Sequence, residues 1–337
     1  MPEAGHGGPL VSVIIPSHDG RHWLARCLPR IGRQVSVPHE IIVADNGSSD
    51  GTEAWLAAHW PTVRALCVDE PLGFAAACNR GASAAQGDVL VFLNNDTEPD
   101  ERWLDYLVAP VLRDPDLTVS TARLVLLDRP TIVDSAGDQY AIWGAAFKRG
   151  AGDLASRYEE PREVFSPCGA ACAISRALFG RVGAFDETFE SVCEDVDLGY
   201  RVRLVGGRCL YVPAAVVRHA GSATLGVETP GPIRLGQRNL EWVWWANTPV
   251  VLFVVMTPLH VVYNALAAIF FWRRGRLRAF LQGKREALAG WRHAIARRRH
   301  AQRMRRASAF QIAMAMTLPP LLSKWREKSD LAMRSDA

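Results

Sequence analysis

The chain has 337 residues, 49% hydrophobic and 22% charged, enough for one large domain or two small ones. That balance excludes collagen-like, disordered and disulfide-scaffold proteins. The formal net charge of +4 joins two unlike parts: residues 1–230 carry 20 Lys+Arg against 30 Asp+Glu, net −10, while residues 231–337 carry 19 against 5, net +14. The seven cysteines (Cys27, Cys67, Cys78, Cys168, Cys172, Cys193, Cys209) are odd in number and lack the CxxC spacing of a zinc site, so they read as reduced, mostly buried thiols of a cytosolic compartment. Residues 1–9 show neither a basic stretch nor an apolar one, and the expectation is that nothing there routes the chain through a secretion pore.

Short runs rich in Val, Ile and Leu at 11–15, 40–44, 63–68 and 89–93 predict buried strands, and 21–33, 51–59 and 74–85 predict the helices between them. The result is three successive βα units in a parallel sheet with right-handed crossovers. Residues 117–165, punctuated by Gly137, Gly144, Gly150 and Gly152, suggest hairpins and loops that shape a cleft. An amphipathic helix starts near Glu194, with Leu198, Val202 and Val205 as its apolar stripe; a strand at 209–212 and a link at 213–218 then lead to His219.

Composition shifts at 230. Residues 242–272 contain no Asp, Glu, Lys or Arg over 31 positions, longer than the ~20 residues that cross a bilayer. Pro249 and Pro258 interrupt this run, and Asn247, His260 and Asn264 dilute it, so one straight spanning helix is not assured. Farther on, Leu277, Phe280, Leu281, Leu288, Trp291 and Ile295 fall within one helical arc behind Arg273, Arg274 and Arg276, with Lys284 snorkelling. Six of the eleven tryptophans (Trp242, Trp244, Trp245, Trp272, Trp291, Trp325) lie in this last third. An interfacial helix on anionic lipid explains these features better than a packing helix or a nucleic-acid-binding arm.

Polar clusters close the early strands: Pro16-Ser17-His18-Asp19, then Asp45-Asn46-Gly47-Ser48-Ser49-Asp50, then Asn94-Asn95-Asp96-Thr97-Glu98. Each alone suits a turn or a helix cap, but at the carboxyl ends of parallel strands all three converge on the ligand crevice of an open sheet.

These strings, with Gly-Phe-Ala-Ala-Ala-Cys-Asn-Arg-Gly at 73–81, Gly-Ala-Phe-Asp-Glu at 183–187 and Glu-Asp-Val-Asp-Leu-Gly-Tyr-Arg at 194–201, resemble glycosyltransferase family 2 over residues 10–222. The stretch at 133–138 and the Lys-Arg-Gly at 148–150 are similar to bacterial rhamnosyltransferases of cell-envelope polysaccharide assembly. The resemblance implies a GT-A fold, an α/β domain with a mostly parallel sheet covered by helices on both faces. It would occupy 1–230, with a nucleotide-sugar half at about 10–100 and an acceptor half at about 101–222. A hydrophobic and basic helical membrane-associating region, 231–337, follows.

The resemblance also implies roles. Pro16, Ser17, Asp45, Asn46, Gly73, Phe74, Asn79, Arg80 and Asn95 would hold the nucleotide sugar. Asp45 also suits capping of the next helix, and Arg80 a solvated surface. Asp96 would bind Mg²⁺ or Mn²⁺, with His219 as second ligand or as a structural histidine. The family's Asp-X-Asp is here Asn94-Asn95-Asp96, one carboxylate short, which predicts weak or phosphate-dependent metal binding. Three acids in four positions, Glu194, Asp195 and Asp197, exceed what helix capping needs; Asp195 is expected as the base of an inverting transfer, with Glu194 or Asp197 as orienting neighbours.

The expected function is transfer of a sugar, rhamnose from dTDP-rhamnose by the subfamily resemblance, to a polyprenyl-linked saccharide. The expected place is the cytoplasmic face of the plasma membrane, monotopic or peripheral on anionic lipid, without a nucleic-acid partner. A membrane-bound, non-catalytic nucleotide-sugar or glycan-binding protein is the alternative. A sugar nucleotidyltransferase is disfavoured, because no Gly-rich loop with a basic residue follows the first strand.

Overall fold

The structure, a computed structural model, describes residues 10–221 and 229–318. The expectations for residues 1–9 and Trp325 lie outside these residues. The first hundred residues form β1 (Val11–Ser17), α1 (Arg21–Ile31), β2 (His39–Asn46), α2 (Thr52–His59), β3 (Arg64–Val68), α3 (Phe74–Ala84) and β4 (Val89–Leu93). Their strands pair in parallel in the order β4-β1-β2-β3. The apolar runs are continuous because β1 and β4 are buried on both faces. Val13, Ile15, Val91 and Leu93 pack on one side against Leu24 and Leu28 of α1, while Ile14, Leu90 and Phe92 pack on the other against Ala75 and Cys78 of α3.

Then come β5 (Thr97–Pro99), α4 (Trp103–Arg113), β6 (Thr118–Leu126), β7 (Val133–Ser135), β8 (Asp138–Tyr140), β9 (Ala146–Lys148), β10 (Arg162–Val164), β11 (Ala171–Ser175), α5 (Arg176–Arg181), α6 (Glu194–Leu204) and β12 (Arg208–His219). They extend the sheet in the order β10-β12-β6-β11-β4, with β11 antiparallel to both neighbours, so the complete sheet is mixed. Two expectations need correction. Within 117–165, hairpins are present (β8 pairs with β9), but β6 is a nine-residue sheet strand. Its pattern is masked because Thr118, Ser120 and Thr121 are buried and hydrogen-bonded, Thr118 Oγ1 donating to Asp114 at 2.9 Å and Ser120 Oγ to the Leu107 carbonyl at 2.5 Å. The supposed link at 213–218 is also strand: β12 continues past a bulge between Val212 and Val216 and carries His219 at its end. Among the described residues no disulfide joins the seven cysteines, and five of them are buried.

The remainder is helical: α7 (Pro230–Asn247), α8 (Val250–Arg273), α9 (Leu277–Ala289), α10 (Trp291–Met304) and α11 (Ala309–Ala315). Pro249 separates α7 from α8, but Pro258 lies inside α8 without ending it. The long apolar run is therefore divided. Its first turns, with Trp242, Val243 and Trp244, are buried in a cluster with Phe189, Val196, Tyr200 and Leu204, so one core crosses the composition boundary at 230. Among the described residues α8 is the one helix long and apolar enough to cross a membrane. It rests one side, with Leu252, His260 and Phe271, on the protein and exposes Val250, Val251, Val254, Val255, Val261 and Val262 on the other. The predicted arc beyond it belongs to two helices, since Gly290 ends α9. Phe280 is buried against Phe271, whereas Leu281, Leu288, Trp291 and Ile295 are exposed. Lys284 does not snorkel: its Nζ is 2.6 Å from Glu241 Oε1 in α7, and Glu241 also meets His260 of α8 at 3.1 Å.

Candidate active site

A cleft of about 390 Å³ opens at the carboxyl ends of β1, β2 and β4. Pro16, Ser17 and Asn46 line it from β1 and β2, Phe74 from the start of α3, and Asn94, Asn95 and Asp96 from the turn after β4. Glu194, Asp195, His219 and Lys148 complete the wall.

Asp96 and His219 meet because β5 pairs antiparallel with the end of β12, setting His219 opposite Thr97. His219 Nε2 lies 3.2 Å from Asp96 Oδ1, and its Nδ1 lies 2.8 Å from Asp134 Oδ2 on β7. Burial pulls the imidazole down, but the hydrogen bonds and charges of Asp134 and Asp96 outweigh it and raise His219 to about 9. So charged, the ring donates from Nδ1 to Asp134 and from Nε2 to Asp96; giving up the Nε2 proton, with the Nδ1 proton kept by Asp134, would turn an Nε2 lone pair toward a cation beside Asp96. Two adjacent ligands of a divalent ion with bonds of ~2.1 Å stand ~3.0 Å apart, so the 3.2 Å separation fits. Asp134 completes the carboxylate–histidine arrangement that orients such ligands. Asn94 Oδ1 is buried and, among the described residues, has no hydrogen-bond partner, which leaves a further neutral oxygen at this end of the cleft.

At the other end α6 begins with Glu194 and Asp195. Asp195 Oδ2 accepts from Gly169 N at 2.7 Å and Oδ1 from Val196 N at 2.8 Å. Burial raises the Asp195 carboxyl, while those amides and Lys148 hold it back. Glu194 is raised by burial and then by the charge of Asp195, and its buried Oε2 has no partner among the described residues. The two carboxyls titrate as a pair, with the two backbone amides favouring the charged form of Asp195. Asp197 does not join them. Two residues along a helix is a ~200° rotation, and Asp197 points into the core, 2.7 Å from Arg201 Nη2 and 2.7 Å from Asn247 Nδ2 of α7.

On the nucleotide side, Asn95 Nδ2 donates to Ser17 Oγ at 3.0 Å and Asn46 Oδ1 accepts from Leu72 N at 2.7 Å. Asp45 is buried just behind the cleft wall and accepts from Ser48 Oγ, its carboxyl raised by burial. Gly73 has φ +93°, and a Cβ there would lie 3.2 Å from the Glu190 backbone; this close approach seats α3 against the loop before α6. Of the residues expected to hold the nucleotide sugar, Asp45, Gly73, Asn79 and Arg80 do not line the cleft. Asn79 Nδ2 donates to the Phe185 carbonyl at 2.9 Å and its Oδ1 accepts from Phe185 N at 3.1 Å, while Arg80 reaches the Cys67 carbonyl at 3.3 Å.

Sequence reasoning missed Lys148, Asp134 and Asp138 as site residues. The β8–β9 hairpin sets Asp138 opposite Lys148. Lys148 Nζ lies 2.9 Å from both oxygens of Asp134, linking the β9 end of the cleft wall to the His219 pair. Asp138 is buried, with ligand atoms of Asp138, Cys168 and Asp195 all within 4.8 Å of one another, and burial followed by the Asp195 charge raises its carboxyl. The available signal was the pair of short motifs at 133–138 and 148–150.

The family model for "Glycosyl transferase family 2" matches residues 12–182. This chain belongs to that family. Among its family relatives, N-acetylglucosaminyl-diphospho-decaprenol L-rhamnosyltransferase of Mycobacterium tuberculosis is 30% identical over 244 residues, 64% of this chain and 78% of that protein. The O-antigen biosynthesis protein RfbC of Myxococcus xanthus is 30% identical over 229 residues, 65% of this chain but 18% of the relative. Two solved structures share the GT-A fold of the family. GalNAc-T7 with UDP, GalNAc and Mn²⁺ has a TM-score of 0.56 at 20% identity, covering 70% of this chain and 48% of that one. The mannosyltransferase PcManGT of Pyrobaculum calidifontis, in complex with GDP-Man and Mn²⁺, has a TM-score of 0.51 at 18% identity, covering 93% and 90%. The chain is accordingly a glycosyltransferase by family, with an α/β GT-A fold and a C-terminal helical region.

Proposed function

We propose that this glycosyltransferase moves rhamnose from dTDP-rhamnose, with inversion, to a hydroxyl of a polyprenyl-linked saccharide at the cytoplasmic face of the plasma membrane. The observation that carries this reading is a single cleft lined by both the Asp96–His219 pair and the Glu194–Asp195 pair. Asp195 takes the proton of the acceptor hydroxyl while that oxygen bonds to the anomeric carbon; the anomeric carbon–oxygen bond to the diphosphate breaks on the opposite face, and the diphosphate leaves with the electron pair. Glu194 stands beside the base, its buried Oε2 without a partner among the described residues. Pro16, Ser17, Asn46, Phe74 and Asn95, which line the cleft, hold the nucleotide sugar. Asp96 and His219 would hold Mg²⁺ or Mn²⁺, which supplies positive charge to the departing diphosphate. Rhamnose and the lipid-linked acceptor are supported by the mycobacterial relative's name.

Membrane attachment in this reading is monotopic, on anionic lipid. α8 has 24 residues, ~36 Å of helix, enough to cross. Its inner side is nevertheless committed to the protein through His260, which meets the Trp143 carbonyl at 2.7 Å and Glu241 at 3.1 Å. A crossing helix would desert these partners, whereas one lying in the interface keeps them and gives its valine face to lipid.

The test incubates the full chain and a polyprenyl-diphosphate-linked saccharide acceptor with dTDP-rhamnose, UDP-GlcNAc or GDP-mannose, each with and without Mn²⁺, and measures nucleotide release. Metal-dependent release of dTDP from dTDP-rhamnose is expected. Release from another donor alone would overturn the rhamnose reading, and binding without turnover of any donor would leave a non-catalytic binding protein.

A further inference from the structure

The turn that leads into α6 is held by helices much later in the chain. Glu190, Val192 and Cys193 have φ of +62°, +70° and +71°, a region that residues bearing a Cβ avoid, β-branched valine most of all. Ser191 and Val192 line the cleft, and Glu194 and Asp195 follow directly. No glycine relieves the turn, so something else must impose its shape.

That something is α7. Asn239 is fully buried. Its Nδ2 lies 3.0 Å from the Phe189 carbonyl, 2.9 Å from that of Ser191 and 2.7 Å from that of Val192, so its two N–H groups are shared among three acceptors. Its Oδ1 accepts from Arg238 Nε at 2.9 Å, which fixes the direction of the amide. Arg238 Nη2 donates to the carbonyls of Thr188 at 3.0 Å and Phe189 at 3.1 Å, and Nη1 pairs with Glu190 at 2.8 Å. From α10, His293 and Arg297 grip the start of the same segment through Asp186, at 2.8 and 3.0 Å.

We infer that Asn239 is a positioning residue of the transfer reaction: with Arg238 it imposes the left-handed turn at 190–193 and so aims Glu194 and Asp195 into the cleft. The C-terminal helices then serve catalysis as well as membrane docking. This inference rests on the proposed role of Asp195.

The experiment uses the full chain as Asn239→Ala, Arg238→Met, Asn239→Ala with Val192→Gly, and Asp195→Asn. The readouts are thermal midpoint, dTDP affinity in Mn²⁺, and kcat for nucleotide release from the donor that the wild type turns over, dTDP-rhamnose on the present reading. Asn239→Ala is expected to lower kcat about 10²-fold through misplacement of the carboxylates. The dTDP affinity should stay within about threefold, since Ser17, Asn95 and Asp96 are untouched. Val192→Gly should restore about tenfold of the loss, because glycine takes φ +70° without a Cβ penalty; a buried amide needed only for stability would show no such rescue. If Asn239→Ala does not fold, Arg238→Met carries the test with an expected loss of about tenfold in kcat at unchanged dTDP affinity. A kcat within about threefold of wild type in the folded variant, or no recovery with Val192→Gly, overturns the inference. Retained turnover in Asp195→Asn would instead overturn the base assignment.

Discussion

Asp195→Asn tests the chemistry most directly, and the structure sets two magnitudes for it. Both carboxylate oxygens accept a backbone amide, from Gly169 at 2.7 Å and Val196 at 2.8 Å. Asparagine offers one acceptor and turns an N–H toward the other amide, at a folding cost of about 1–3 kcal/mol. That is a fraction of the ~5–15 kcal/mol stability of an ordinary domain, so the variant remains folded. Loss of a general base costs about 10²–10⁴ in rate, or ~3–5 kcal/mol of barrier, and this is the larger effect. The assay is initial-rate nucleotide release from dTDP-rhamnose at saturating donor, beside dTDP affinity and thermal midpoint. A drop of at least ~10² in kcat, with dTDP affinity within a few-fold, is expected. Because the base must be ionised, wild-type activity should fall as pH drops through the Asp195 titration, which burial raises from its ordinary value, and the variant should lack that limb. Turnover within about tenfold of wild type would refute the reasoning.

Asp134→Asn removes the carboxylate behind His219 Nδ1 and should weaken Mn²⁺ binding about 10–100-fold, read by metal titration in the presence of dTDP. Lys284→Met removes one of the two partners of the buried Glu241 carboxylate, leaving His260, and should cost about 1–3 kcal/mol, measured by chemical denaturation. His260 and Lys284 outweigh burial and hold Glu241 down to about 2. Its contribution is therefore full above the unfolded value of 4.5, and wild-type stability should fall as pH drops from there toward 2. Val254→Asp with Val255→Asp charges the exposed face of α8 and should abolish flotation with phosphatidylglycerol vesicles while leaving nucleotide release from dTDP-rhamnose in solution intact.

The βα repeat was legible because strands buried on both faces read as unbroken runs of Val, Ile and Leu. β6 escaped notice because buried Ser120 and Thr121 satisfy their hydroxyls within the protein and look polar only in sequence. Strand-end clusters pointed to a common crevice, and Ser17, Asn46, Asn95 and Asp96 do line one cleft. Side-chain direction was less legible: helical phase turns Asp197 away from Asp195, and hydrogen bonding turns Asn79 toward Phe185. Lys148 and Asp134 stayed hidden since only the register of short strands brings them together. In the C-terminal region, tryptophan content suggested lipid throughout. Trp272 and Trp291 are indeed exposed, but Trp242 and Trp244 are buried in the core shared with α6.

That shared core also sets an order of events during synthesis. The 186–193 turn leaves the ribosome well before its supports: Asn239 follows Phe189 by 50 residues, and His293 follows Asp186 by 107. At ~5–20 residues per second, the nascent chain spends several seconds with its βα half complete and this turn unsupported. Arg238 and Asn239 emerge before α8, but His293 and Arg297 follow it, so the last of the grips on this turn can form only once the helix with the valine face has been made.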